Sequence, residues 1–238
     1  MTKSRVLFDP LGDSHEDIIA ANGLNDRKGS PDFVRVEVVP PNLDYTLPFD
    51  KWVYKVDQDW LPDWYCAAEA EAACRAVLPE WARTHIVRSG KHTCERGQTL
   101  IAIGCVVIVD GGECNACAGS TVTVNDGRCH ARAGSVATVN GGWCDAYAGS
   151  TVTVNVGWCH AYAGSTVTVN GGWCVALDGS TVTVNDGRCY ARAGSTVTVN
   201  GGVCDAHAGS AVMVSGGVCD ADDGSKVIDN RKNDAEKD

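Results

Sequence analysis

The side chains best equipped for chemistry recur at a fixed interval. Cys114, Cys129, Cys144, Cys159, Cys174, Cys189, Cys204 and Cys219 each stand 15 residues from the next. Thiolates hold structural zinc in closed four-ligand shells, usually from paired Cys-x-x-Cys motifs. Here Cys114-Asn-Ala-Cys117 is the one such pair, no second pair accompanies it, and residues three apart in a strand point to opposite sides. His130, Asp145 and His160 would share one outer row, and Asp205, His207, Asp220 and Asp222 cluster further on, so either set would meet a cation only on open surface. No Ser/His/Asp order, activated Cys/His pair or enclosed carboxylate pair is present. The sequence therefore predicts no catalytic residues, no metal site and no cofactor. The cysteine row reads as small hydrophobes in a narrow core, and parallel side-chain vectors disfavour disulfides between neighbours.

These residues are carried by a tandem repeat. Gly141-Gly-Trp-Cys-Asp-Ala-Tyr-Ala-Gly-Ser-Thr-Val-Thr-Val-Asn155 is one copy, and related units run from about Gly104 to about Lys226. A fixed short period is the signature of a solenoid. Within a unit, Ser150-Thr-Val-Thr-Val-Asn155 alternates as one strand and Trp158-Cys-His-Ala-Tyr-Ala163 as another. Val152, Val154, Cys159, Ala161 and Ala163 then point inward, while Thr151, Thr153, Trp158, His160 and Tyr162 point out. Ala-Gly-Ser and Asn-Gly-Gly or Asn-Asp-Gly supply the turns. The expected fold is mainly β: a two-sided parallel β-solenoid (β-helix) of about eight 15-residue coils, preceded by a small α+β capping domain.

Around the repeats the chain divides into a polar arm (1–30), the α+β capping module (31–90), a connector (91–104), the solenoid (105–228) and a charged tail (229–238) that guards the open sheet edge. In the module, Val34–Val39 and Trp52–Val56 read as strands. A helix follows, with Asp59 as cap, Pro62 in the first turn, and Cys66, Ala70, Ala73, Cys74, Val77 and Trp81 as its buried stripe. Pro79 is expected to kink or divide it before Ile86-Val87. Trp52, Trp60, Trp64 and Trp81 are the expected core. The net charge of −10 favours solubility and argues against indiscriminate binding to phosphate backbones. Without a membrane-length apolar run or an apolar leader in residues 1–20, and with 13 cysteines, an odd number, the chain reads as a cytoplasmic protein with reduced thiols.

The first outer face carries Thr121/Thr123, Thr151/Thr153, Thr166/Thr168, Thr181/Thr183 and Thr196/Thr198, interrupted by Val136, Ala211 and Met213. These Gly-Ser-Thr-x-Thr repeats resemble those of ice-binding solenoids, including ice nucleation proteins. That resemblance implies a flat surface that orders water. Residue spacing of about 6.7 Å along each strand and about 4.8 Å between coils suits the role, although threonine is also simply a good strand former on an exposed pleat.

The second face changes from coil to coil. Trp143, Trp158 and Trp173 form one ladder beside Tyr147 and Tyr162. Arg128/Arg132 lie to one side and Arg188/Arg192, with Tyr190, to the other, about 19 Å apart. Exposed aromatic surface rimmed by arginine is shared by interface hot spots and base-stacking platforms, and the near symmetry about Trp158 suits a two-fold self-interface. The same rings would also stabilise the solenoid by stacking on each other. Residues 31–88, through Val34-Arg-Val-Glu-Val-Val-Pro-Pro41, Lys51-Trp-Val-Tyr-Lys-Val-Asp57, Leu61-Pro-Asp-Trp64 and Ala76-Val-Leu-Pro-Glu-Trp81, look like a module that precedes short repeats in uncharacterised bacterial and phage-encoded proteins. That resemblance transfers no functional residue; it implies a phage-related setting and, by analogy, a counter-defence inhibitor.

The expected function is thus a non-catalytic binding or scaffold protein. It presents Arg128, Arg132, Trp143, Tyr147, Trp158, Tyr162, Trp173, Arg188, Tyr190 and Arg192 to a protein partner or to a second copy of itself. Ice binding through the threonine face, and binding of a nucleotide or single-stranded nucleic acid, are the alternatives; no membrane partner is expected.

Overall fold

The computed structural model describes residues 18–20, 22–24 and 33–233, so most of the expected arm and the tail beyond Asn233 lie outside the described residues. The described residues fall into two compact units that divide between Ile86 and Val87.

In the first unit, β1 (Val36–Val39) pairs antiparallel with β2 (Val53–Val56). The helix α1 (Ala67–His85) starts later than Asp59 and Pro62 suggest, and it runs unbroken through Pro79. Pro79 withholds one backbone N–H, yet its ring lies on an exposed side of the helix. The core is narrower than expected. Trp52 is buried, with its ring edge-on to Tyr45, Phe49 and Trp81, and its indole N–H donates to the Leu47 carbonyl at 3.1 Å. Trp60 and Trp64 are 48% and 49% exposed, and Cys66 lies outside the buried stripe. The buried helix residues are instead Leu78 and His85, the latter stacked on Trp81 at 4.7 Å. Arg75 fastens the helix by donating to the Phe49 and Trp52 carbonyls, both at 3.0 Å.

The second unit is a parallel β-solenoid of about 10 turns with 15-residue spacing. Register follows the repeat: Thr151 aligns with Thr166, Val152 with Val167, Trp158 with Trp173 and Cys159 with Cys174. The solenoid begins earlier than the repeat motif announces. Lys91–Glu95 and Thr99–Ala102, assigned by sequence to a connector, pair in parallel with Val106–Ala116. Their coil lacks the Gly-Ser-Thr signature but keeps the inward pattern, with Cys94, Leu100 and Ala102 buried. Polarity at alternate positions, rather than residue identity, determines the strand.

Valine on one sheet and cysteine and alanine on the other fill the interior, and all 13 cysteines are free thiols. Burial pushes the Cys94 thiol up to about 11, which keeps it protonated and apolar in character. Ala163, expected inside, is exposed in a turn. The next inward position is Ser165, whose buried hydroxyl donates to the Tyr162 carbonyl at 2.6 Å. Equivalent serines from Ser120 to Ser210 close the same bend in successive coils. At the opposite bend the asparagines form a ladder. The side-chain amide of Asn155 donates to Asn140 at 3.0 Å, Asn170 donates to Asn155 at 3.1 Å and Asn185 to Asn170 at 3.0 Å. Gly142 beside this ladder adopts φ +73°, and a Cβ there would lie 2.4 Å from the Gly127 carbonyl oxygen. Both the conformation and the close stacking of coils therefore require glycine.

The last strand, Lys226–Asp229, is protected chemically. Arg231 donates to both carboxylate oxygens of Asp229, at 2.8 and 2.6 Å, and to the Gly217 carbonyl at 2.6 Å. In earlier coils the corresponding Gly202 carbonyl receives the Val218 backbone N–H. The guanidinium thus supplies a donor that a further coil would have supplied. Together with Lys226, and with Asp229 aligned on the core position Val214, it is a charged device against edge pairing.

Candidate functional site

The two exposed sheets differ in how their side chains are satisfied. On the threonine sheet, Thr121, Thr151, Thr166, Thr181 and Thr196 are exposed, while Thr123, Thr153, Thr168, Thr183 and Thr198 are half-buried. Thr138, absent from the expected set, aligns with Thr123 and Thr153 and makes the second row continuous from Thr123 to Thr198. The first row is interrupted at Val136, which aligns with Thr121 and Thr151, and both rows end where Ala211 and Met213 follow Thr196 and Thr198.

The second sheet is mutually engaged. Trp143, Trp158 and Trp173 stack with centroid separations of 6.1 and 5.0 Å and interplanar angles of 6° and 15°. Tyr190 continues this stack from Trp173 at 6.0 Å, and Tyr147 and Tyr162 stack at 5.0 Å. Guanidinium groups cover rings at either side: Arg132 lies over Tyr147 at 5.3 Å, and Arg188 over Trp173 and Tyr190 at 5.5 and 5.2 Å. Both faces of Trp158 and Trp173 are therefore covered by neighbouring rings or a cation, and Trp143 has one face stacked on Trp158. Trp158, the central rung, is 44% exposed and presents its edge outward. A nucleobase stacks on a free ring face, and the stacked ladder turns ring edges rather than faces to the solvent at Trp158.

Beneath this strip lies a charge network centred on Asp145. Sequence alternation predicts Asp145 on the surface; the structure leaves it 2% exposed. Arg128 donates to its Oδ2 at 2.8 Å and the Trp143 indole N–H to its Oδ1 at 3.0 Å. His130 Nδ1 lies 3.3 Å from Oδ2, an ionic contact, and His160 Nδ1 lies 3.5 Å from Oδ1. His130 also reaches Glu113 through Nε2 at 3.1 Å. Burial opposes a charge on His130, but the two carboxylates outweigh it and raise its pKa from 6.5 to about 9. Burial likewise opposes the Asp145 anion, and contacts with His130, Trp143 and Arg128 overcome it, holding the carboxyl well below its usual range. Asp145 thus fixes the first tryptophan, the adjoining arginine and two histidines of the strip. The sequence signal was available as a lone acid whose neighbours 15 residues away on either side are histidines.

The remaining predicted residues are also placed. Arg132 donates to Asn115 at 2.9 Å, Arg188 pairs with Asp205 at 2.8 Å, and Arg192 is exposed. Cys117, read as outward-facing, is buried. Asp222 pairs with His207 at 2.9 Å rather than contributing to a larger cluster. Among the described residues, no group of three or more His, Cys, Asp or Glu is arranged to hold a metal ion, and no helix is long and apolar enough to cross a membrane.

Compared with protein-family models, curated proteins and solved structures, the chain matches none.

Proposed function

We propose that the chain is a non-catalytic binding protein whose aromatic sheet docks a protein partner in the cytoplasm. The observation that carries this reading is the exposed edge of Trp158 at the centre of a stacked, in-register ladder. Aromatic anchors already held by their neighbours lose little conformational freedom on binding, which is the physical advantage of a preorganised interface. Arg128, Arg132 and Arg188 are held by their own chain through Asp145, Asn115 and Asp205, so these guanidinium groups are preoriented for a partner. Replacing Trp158 and Tyr162 by serine is expected to abolish association while circular dichroism still reports the β-solenoid. Partner binding or self-association that survives the double substitution would sink the reading.

A second reading is supported by the threonine sheet. Its rows run in register, and among the described residues their hydroxyls have no protein hydrogen-bond partner. Such a surface is open to ordered water, the basis of the ice-binding alternative. Thermal hysteresis and ice-crystal shaping by the intact protein test it. Unaltered ice growth at high protein concentration would end it.

A further inference from the structure

The register of the second sheet defines a straight track. Arg128 aligns with Trp143, Trp143 with Trp158, Trp158 with Trp173 and Trp173 with Arg188. An arginine therefore stands at each end of three tryptophan edges, four stacking steps or about 19 Å apart. Each terminal arginine is oriented by an acid of its own chain: Arg128 by Asp145 through Nη2, and Arg188 by Asp205 through Nε and Nη2. A guanidinium has five donors in a planar fork, so both retain donors, and their side chains are 51% and 41% exposed.

The charge of this strip is opposite to that of the chain. Its outward rows from Arg128 to Arg192 carry four arginines and the charged His130 against the buried carboxylate of Asp145, and the strip stays positive when the flanking acids paired to it, Glu113 on His130 and Asp205 on Arg188, are counted, within a chain of net charge −10. The aromatic contribution has the same sign. Ring edges are the positive rim of the aromatic quadrupole, and the edges are what this ladder leaves exposed. A second copy is a poor match. A two-fold axis along the strands through Trp158 would set Arg128 over the partner's Arg188, and an axis along the solenoid would set Arg128 over the partner's Arg132.

We propose that this track receives an extended acidic polypeptide segment running along the solenoid axis. One carboxylate binds Arg128 and another Arg188, with apolar side chains lying on the tryptophan edges between them. An extended chain advances about 3.3 Å per residue, so the two acids stand about six positions apart. The inference rests on the reading that the aromatic sheet is the docking face, and it supplies the chemistry of the partner.

The test is fluorescence anisotropy of synthetic peptides carrying two glutamates around valine and threonine, at spacings shorter than, equal to and longer than about six. Tightest binding near six, weakening with added salt, and roughly tenfold weaker binding to Arg188→Gln or Arg128→Gln are expected. Circular dichroism confirms that both variants remain folded. Equal binding at all spacings, equal binding of lysine counterparts, or tighter binding of single-stranded oligothymidine would overturn the proposal. If none of the acidic peptides binds but light scattering shows self-association that Trp158→Ser abolishes, the acidic partner is wrong and the docking face stands. If the peptides fail and Trp158→Ser changes no association, both are wrong.

Discussion

The two sheets of the solenoid share a backbone, a register and a core, but they place their side chains under different constraints. On the threonine sheet the coils from Thr151 to Thr198 repeat one another, and among the described residues their hydroxyls make no protein hydrogen bond. On the aromatic sheet each coil differs, and stacking, cation–π contacts and the Asp145 network tie the coils together. The threonine sheet is therefore expected to be interchangeable in stability but sensitive in whatever surface role depends on regularity. The aromatic sheet is expected to be specific in both. Variation between coils is tolerable there because several of the new residues pair one coil away, as Trp143 does with Trp158, Arg128 with Asp145 and Arg188 with Asp205.

The largest test of this difference is Asp145→Asn. It leaves Arg128 and His130 without their buried anion, and by analogy with broken buried ion pairs the loss should be on the order of 3 kcal/mol in denaturant unfolding. A loss below about 0.5 kcal/mol would show that the network adds nothing to the fold.

The pH dependence should be smaller and carry a definite sign. His130 has a raised pKa in the folded chain, so its charged form stabilises the fold fully below pH 6.5 and the contribution is lost as pH rises through about 9. Asp145 has a lowered pKa, so its contribution is present above about pH 3.8 and lost on further acidification. Thermal unfolding should therefore show a decline between pH 6.5 and 9 that His130→Gln removes. An unchanged slope in that variant would assign the decline to another group.

The smallest effect is expected on the other sheet. Thr166→Val with Thr168→Val should shift stability by no more than about 0.5 kcal/mol, because no hydrogen bond is broken and valine is an equally good strand former. A loss above about 1 kcal/mol would mean that the sheet is not interchangeable.

The fold was legible because repetition converts sequence positions into columns. Once Cys159 and Val152 are assigned inward, their equivalents 15 residues away follow, and the structure aligns them so. The first coil was missed because Lys91–Ala102 keeps the polarity but not the residue types, and Thr138 was missed because Val136 breaks the motif beside it. In the first unit, Trp60 and Trp64 were misplaced because hydrophobicity alone does not locate a residue when no periodicity constrains it. The ladder of rings was readable from 15-residue spacing. The burial of Asp145 was not readable from alternation, because it arises from large neighbours in adjacent coils closing over a small side chain.

The asparagine ladder has one more consequence. Each amide joins residue i to residue i−15 and nothing else along the row. Excising or duplicating one whole repeat would rejoin equivalent partners, whereas any other length would break the row and the glycine stack beside it. The solenoid is in this sense a ruler graduated in steps of about 4.8 Å. Removing the coil that carries Trp158 would bring the two arginine rungs from about 19 to about 14 Å apart, leaving the chemistry of each rung as it was.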